Sequence, residues 1–254
     1  MRFAPMTQLA VFLLCVTAAF AEDPKRVLFI GNSYTGVNKL PDVFLEVVKA
    51  SGRPAPVVKS STPGGRTLKQ QLGIAASMNL IEQGDWDVVV LQGQSQEPAI
   101  AEKDEATRKE FLESAAELCK RVRTKSPKAK ILFYETWARH ADYWLPAGKK
   151  GPDVGADPKE MQARLRRWYG VAAKENDATL VPCGEAWALN YAAPKPVRLH
   201  QKDNSHPEFV GTYLNALIFF GKIYDVKSPA AHGVGKLDDG LAKLMQGYAA
   251  EVLK

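Results

Sequence analysis

Arg26-Val27-Leu28-Phe29-Ile30-Gly31-Asn32-Ser33-Tyr34-Thr35 joins a β-branched and aromatic run to a small polar cluster. An apolar run of this length, broken by glycine, predicts a buried strand that ends in a tight turn. In α/β sheets, ligands bind beyond the carboxyl ends of the strands. Ser33 therefore stands where chemistry is done. Ser and Asn are also ordinary turn residues, so Ser33 becomes a candidate nucleophile only if a base and oxyanion donors occur elsewhere in the chain.

The rest of the chain alternates strand-like and helix-like segments. A helix is expected near 40–51, with Pro41 early and Gly52 at its end. An extended piece at 55–59 leads into the turn Ser60-Ser61-Thr62-Pro63-Gly64-Gly65, and a helix near 66–83 follows. Asp87-Val88-Val89-Val90-Leu91 reads as a central strand. Further strands are expected at 130–134 and 179–182, with helices near 103–125, 158–175, 207–224 and 237–253. Residues 138–157 read as a long surface loop and 189–205 as irregular. Five strands alternating with helices predict an α/β fold, a three-layer α/β/α sandwich around a mostly parallel five-stranded sheet.

The first 21 residues read as a signal peptide: Arg2, an apolar stretch over 9–20, then Ala19-Phe20-Ala21 as a cleavage pattern. The expectation is an exported protein, periplasmic or extracellular, with residues 22–254 as one domain and no stable membrane insertion after cleavage. Cleavage removes Arg2 and no acid, lowering the net charge from +6 to +5. The basic residues are scattered, as on solvated helix faces, which argues against a nucleic-acid partner. No His/Cys cluster has zinc spacing, and no metal or cofactor is expected. Cys119 and Cys183 are left as a permissible disulfide or two buried thiols.

Asp203-Asn204-Ser205-His206-Pro207 is the second chemical feature. Pro207 suits the start of a helix, and an Asp three residues before a His can reach back to accept its Nδ1 proton. Two ordinary helix-entry residues would look the same. The third feature is Thr62-Pro63-Gly64-Gly65-Arg66, whose glycines allow a backbone N–H to face a ligand. A phosphate loop is excluded because no Gly-Lys-Ser/Thr follows. The fourth is Gln92-Gly93-Gln94-Ser95-Gln96, where a side-chain amide can supply another oxyanion hydrogen bond.

This ordered set resembles the SGNH (GDSL-like) hydrolases, whose blocks carry Ser, Gly, Asn and His, with an Asp three residues before the His. The resemblance implies a metal-free serine esterase with Ser33, His206 and Asp203 as catalytic triad. Its oxyanion hole would be Ser33, Gly65 (or Gly64) and Gln92 (or Gln94). The glutamine block is similar to that of the carbohydrate acetylesterases, which implies an acylated small molecule or polysaccharide as substrate, most simply an O-acetyl ester. Asn32, Trp137, Tyr143 and Trp144 are candidate substrate contacts, and Glu135 either orients substrate or pairs with Arg139. His140 either overhangs the site or sits exposed in its loop. The alternatives are a lipase or thioesterase for longer acyl chains, and a glycan-binding module without activity.

Overall fold

A computed structural model describes residues 23–145 and 151–254. The segment read as a signal peptide, and residues 146–150 of the long loop, lie outside the described residues.

Strands β1 (Arg26–Ile30), β2 (Val57–Ser61), β3 (Val88–Leu91), β4 (Lys130–Tyr134) and β5 (Thr179–Val181) form one parallel sheet in the order β2-β1-β3-β4-β5. The helices are α1 (Ser33–Gly36), α2 (Leu40–Ala50), α3 (Leu68–Gln71), α4 (Ala75–Glu82), α5 (Glu97–Ile100), α6 (Glu105–Lys125), α7 (Pro158–Glu175), α8 (Cys183–Ala192), α9 (Phe209–Tyr224) and α10 (Asp239–Val252).

Alternation along the strands divides the core in two. Val27 and Phe29 of β1, with Val88, Val90, Leu132 and Tyr134, pack against α2, α8, α9 and α10. Leu28, Ile30, Val89, Leu91, Ile131 and Phe133 face α4, α6 and α7. Burying each such large side chain contributes about 1.5–3 kcal/mol, which explains why the central strands are apolar on both faces. Cys119 lies in one core and Cys183 in the other, and both are free thiols. Burial pushes the Cys119 thiol up to about 12, so neither position offers a reactive thiolate.

Several segments differ from the sequence reading. β2 runs to Ser61, into the turn expected from Ser60, and α9 starts at Phe209 with Glu208 before it, so Pro207 lies outside the helix. The helix expected over 66–83 is two helices, separated at Gly73-Ile74. Thr67 caps the first through a reciprocal bond with Gln70, and Gln71 turns inward to donate to the Gly31 carbonyl. The helix expected from 103 is preceded by the extra turn α5, and Asp104 caps α6 anew. Residues 183–192, the end of which was read as irregular, form α8, whose Trp187 and Asn190 are buried. Tertiary burial there overrides a weak amphipathic signal.

Candidate active site

β1 carries the nucleophile candidate through Asn32. Its Oδ1 accepts from Tyr34 N at 3.0 Å, capping α1, and its N–H donates to Gln92 Oε1 at 2.9 Å. Its side-chain amide donates to Arg66 O at 3.1 Å and Gly93 O at 3.0 Å. Two carbonyls met by one NH2 explain Asn here: an Asp carboxylate would set acceptor against acceptor. Asn32 thus ties the segments after β1, β2 and β3 together. It is 2% exposed with its polar atoms used, so it is not the substrate contact expected from sequence.

Gly31 admits no side chain, because a Cβ would lie 2.7 Å from Gln92 Oε1. Gln92 is itself buried, and its Oε1 also accepts from Thr35 Oγ1 while its Nε2 donates to Gly93 O. Gln92 is therefore a brace, and the expectation that its amide serves as an oxyanion donor is corrected. Gln94 is held differently. Its Oε1 accepts from Gln96 N at 2.6 Å and Glu97 N at 2.9 Å, which fixes the amide and leaves Nε2 without a protein acceptor among the described residues. Glu97 Oε2 accepts from Gln94 N at 3.3 Å, and burial raises the Glu97 carboxyl to about 7.

Gly65, exposed at the tip of the turn after β2, takes φ +68°, a conformation that favours glycine. Its N–H has no protein partner among the described residues, and neither does that of Ser33. Gly64, next to it, is also exposed.

The second half of the site is the loop before α9. His206 Nε2 lies 2.9 Å from Ser33 Oγ, and His206 Nδ1 lies 2.5 Å from Asp203 Oδ2. The other oxygen of Asp203 accepts from the backbone N–H groups of Ser205 and His206, each at 3.0 Å. Partial burial acts to raise the Asp203 pKa, but hydrogen bonds from the His206 ring and these two N–H groups outweigh it and leave the carboxyl below its usual range. Asn204, at the tip of the loop, is left-handed with φ 62°. It is held by Arg198, which donates to its Oδ1 at 2.6 Å, and by His140 N, which donates to its carbonyl at 3.1 Å.

Beneath this loop three aromatic rings stack. Tyr34 and Trp137 are 4.4 Å apart and 3° from parallel; Trp137 and Trp187 are 4.0 Å apart and 8° from parallel. Trp137 Nε1 donates to Ser205 O at 3.0 Å. The substrate contact expected of Trp137 is thereby overturned: the ring is fully buried and offers no face to a ligand. Tyr143 and Trp144 are half-buried, and Tyr143 reaches the segment after β3 by accepting from Gln96 Nε2 at 3.2 Å. Trp144 donates instead to Gly155 O at 2.9 Å.

Glu135 does not pair with Arg139. It is buried, accepts from Gln162 at 2.8 Å, and is raised to about 8 by burial and then by the Glu185 carboxylate. His200 is held between Ala138 O and the Tyr191 hydroxyl, and burial lowers it to about 3. His140 lies beside Asp142 and Arg198. Sequence reasoning missed that Tyr34, Ser95 and Ser205 meet at Arg139; nothing in their spacing marks them.

No family model and no curated protein matches the sequence. Solved structures do match. A DUF4886 family protein from Bacteroides uniformis superposes with a TM-score of 0.74 at 18% identity, over 89% of this chain and 93% of that one. A catalytic mutant of Axe2, an acetylxylan esterase from Geobacillus stearothermophilus, gives 0.61 at 14% identity, over 80% and 96%. The fold is that of the SGNH hydrolases. A GDSL-like lipase from Parabacteroides merdae gives 0.57 at 15% identity, over 82% and 99%. Among the described residues no helix is long and apolar enough to cross a membrane.

Proposed function

We propose that the protein is a serine ester hydrolase that removes short acyl groups, acetyl foremost, from carbohydrate esters outside the cytoplasm. The observation that carries this reading is the hydrogen-bonded series Ser33 Oγ, His206 and Asp203, at 2.9 and 2.5 Å. Nucleophile, base and orienting carboxylate in that order are the requirement for acyl transfer.

In this reading Ser33 Oγ attacks the ester carbonyl while His206 Nε2 takes its proton. Asp203 keeps the ring in the tautomer with hydrogen on Nδ1 and stabilises the imidazolium. The tetrahedral oxyanion is met by the N–H groups of Ser33 and Gly65 and by the Gln94 amide. His206 then protonates the departing alkoxide, leaving an acyl-Ser33 ester. Water attacks that ester, again giving its proton to His206, and the carboxylic acid leaves.

A short acyl group is supported by what borders the triad. The Tyr34 and Ser205 hydroxyls, Ser95 and the Arg139 guanidinium make a polar floor, where a long aliphatic chain would need an apolar trough. Two hollows among the described residues, one between α3 and α6 and one near Arg166 and Pro182, are not lined by Ser33. The similarity in fold to an acetylxylan esterase supports a carbohydrate, and the N-terminal signal-like segment supports export.

The test is hydrolysis of an acetyl and an octanoyl ester by the purified protein beside Ser33→Ala. Acetyl turnover should fall at least about a thousandfold in the variant. Equal rates would overturn the esterase reading, and a preference for octanoyl would overturn the acetyl assignment in favour of a lipase or thioesterase.

A further inference from the structure

The acyl-transfer mechanism leaves the whole polar floor unused, and Arg139 is its one charged member. It is 9% exposed. Its Nη1 donates to the hydroxyls of Tyr34 and Ser205, and its Nη2 donates to Ser95 Oγ at 3.0 Å. Those partners directly follow Ser33, precede His206 and follow Gln94, so the guanidinium touches all three segments that carry the proposed site.

All three partners are neutral. Among the described residues Arg139 forms no ion pair, although a buried guanidinium is costly without an anion. Arg164 is a control within the same molecule: its side chain is 7% exposed and it holds two carboxylates, Asp153 at 2.9 Å and Glu160 at 2.5 Å. Acids of the neighbouring segments are committed elsewhere. Asp203 is bonded to His206, Asp142 to His140 and Arg198, and Glu97 to the Gln94 backbone. A second cation, Arg66, is exposed beside Gly65 with its side chain unpaired among the described residues.

A hydroxyl that accepts from Arg139 keeps its own hydrogen to donate. The Ser95 O–H, and one of the Tyr34 and Ser205 hydroxyls, remain available, the other being spent on their mutual 2.9 Å contact. A fork of guanidinium N–H groups flanked by hydroxyl donors matches the oxygens of a carboxylate.

We propose that Arg139 is a specificity-determining residue that selects esters carrying a carboxylate next to the ester bond. This rests on the esterase reading and adds the charge of the substrate. The anion completes the pairing that the fold leaves open, and the neutral hydroxyl partners hold the guanidinium in place before it arrives.

The experiment compares three esters: an O-acetyl methyl glucoside, the same acetate of methyl glucuronoside, and the hemisuccinate of methyl glucoside. The second carries its carboxylate on the alcohol side, the third on the acyl side. Native protein should favour one charged ester over the neutral one by roughly tenfold or more in kcat/KM, through a lower KM. Arg139→Gln should erase that ratio, and Arg139→Lys should keep part of it. A purely structural role would lower all three rates together and leave the ratio unchanged. Equal kcat/KM for charged and neutral esters, or a ratio that survives in Arg139→Gln, overturns the proposal while leaving the esterase reading intact. If no ester is cleaved, the esterase reading fails, and calorimetry with Ser33→Ala decides the anion site alone. Methyl glucuronoside binding better than methyl glucoside, with the difference lost on adding Arg139→Gln, supports it, and equal binding overturns it.

Discussion

The Tyr34 hydroxyl lies 2.9 Å from Ser205 Oγ, so the residue after the nucleophile candidate touches the residue before the base candidate. The same two residues are joined a second way. Trp137 stacks on the Tyr34 ring and donates its indole N–H to the Ser205 carbonyl. The spacing between Ser33 and His206 is therefore set by an aromatic and polar clamp beneath them, and the loop that carries His206 does not float.

Trp137→Phe tests the clamp. Phenylalanine keeps a ring to stack but leaves the Ser205 carbonyl without its donor, which costs about 1–3 kcal/mol. Ester turnover should fall through kcat, because a small misplacement of His206 lengthens its bond to Ser33. Urea unfolding and steady-state kinetics measure the two effects, and an unaltered kcat would mean that the indole contact does not position the base.

The two glutamines after β3 should separate cleanly. Gln94→Ala removes a proposed oxyanion donor and should lower kcat on the order of a hundredfold with little loss of stability. Gln92→Ala strands the buried Asn32 N–H and Thr35 hydroxyl, and should cost about 1–3 kcal/mol of stability. A Gln94→Ala enzyme with native kcat would remove that residue from the oxyanion hole.

Asp203→Asn should lower kcat/KM on the order of a hundredfold to ten-thousandfold. The carboxylate accepts from the ring on one oxygen and from two backbone N–H groups on the other. An amide keeping those backbone bonds turns its NH2 toward Nδ1 and enforces the wrong tautomer. Thermal unfolding should change little, since the Asp203 side chain is 46% exposed.

Glu135 governs a pH dependence of stability. Unfolded, it titrates at its ordinary 4.5; folded, burial and the nearby Glu185 carboxylate raise it to about 8. Between these values the folded protein holds a proton that the unfolded chain has released. The contribution of Glu135 is therefore greatest below pH 4.5 and is lost as pH rises through 8. Glu135→Gln stays neutral throughout and should gain stability over the native protein above pH 8, by a few kcal/mol at about 1.4 kcal/mol per unit. Melting curves of both proteins from pH 5 to pH 9 check the sign, and parallel curves would contradict it.

The legible parts of this molecule are those written in short-range pattern. Apolar runs ended by glycine or polar clusters mark β1, β3 and β4. Asp203 and His206 sit one helical-entry spacing apart, so their mutual bond is local. What the pattern does not carry is the direction in which a side chain leaves a turn. Gln92 and Gln94 are alike in type and differ only in which faces inward, and that follows from Asn32 lying 61 residues upstream of Gly93. Trp137 reads as a candidate substrate contact until α8, which the pattern missed, brings Trp187 onto its face. Arg139 is one basic residue among many until its partners are seen to lack charge.

The bond between Ser33 and His206 spans 173 residues of sequence. Every strand of the sheet lies between or beside them, so this contact closes among the longest loops in the chain. Parallel pairing and long-range closure are slow steps in folding. A growing chain that has emerged only as far as α8 holds Ser33 without His206. Any chemistry that needs both is silent until α9 docks, which holds reactivity back until a late part of the chain has folded.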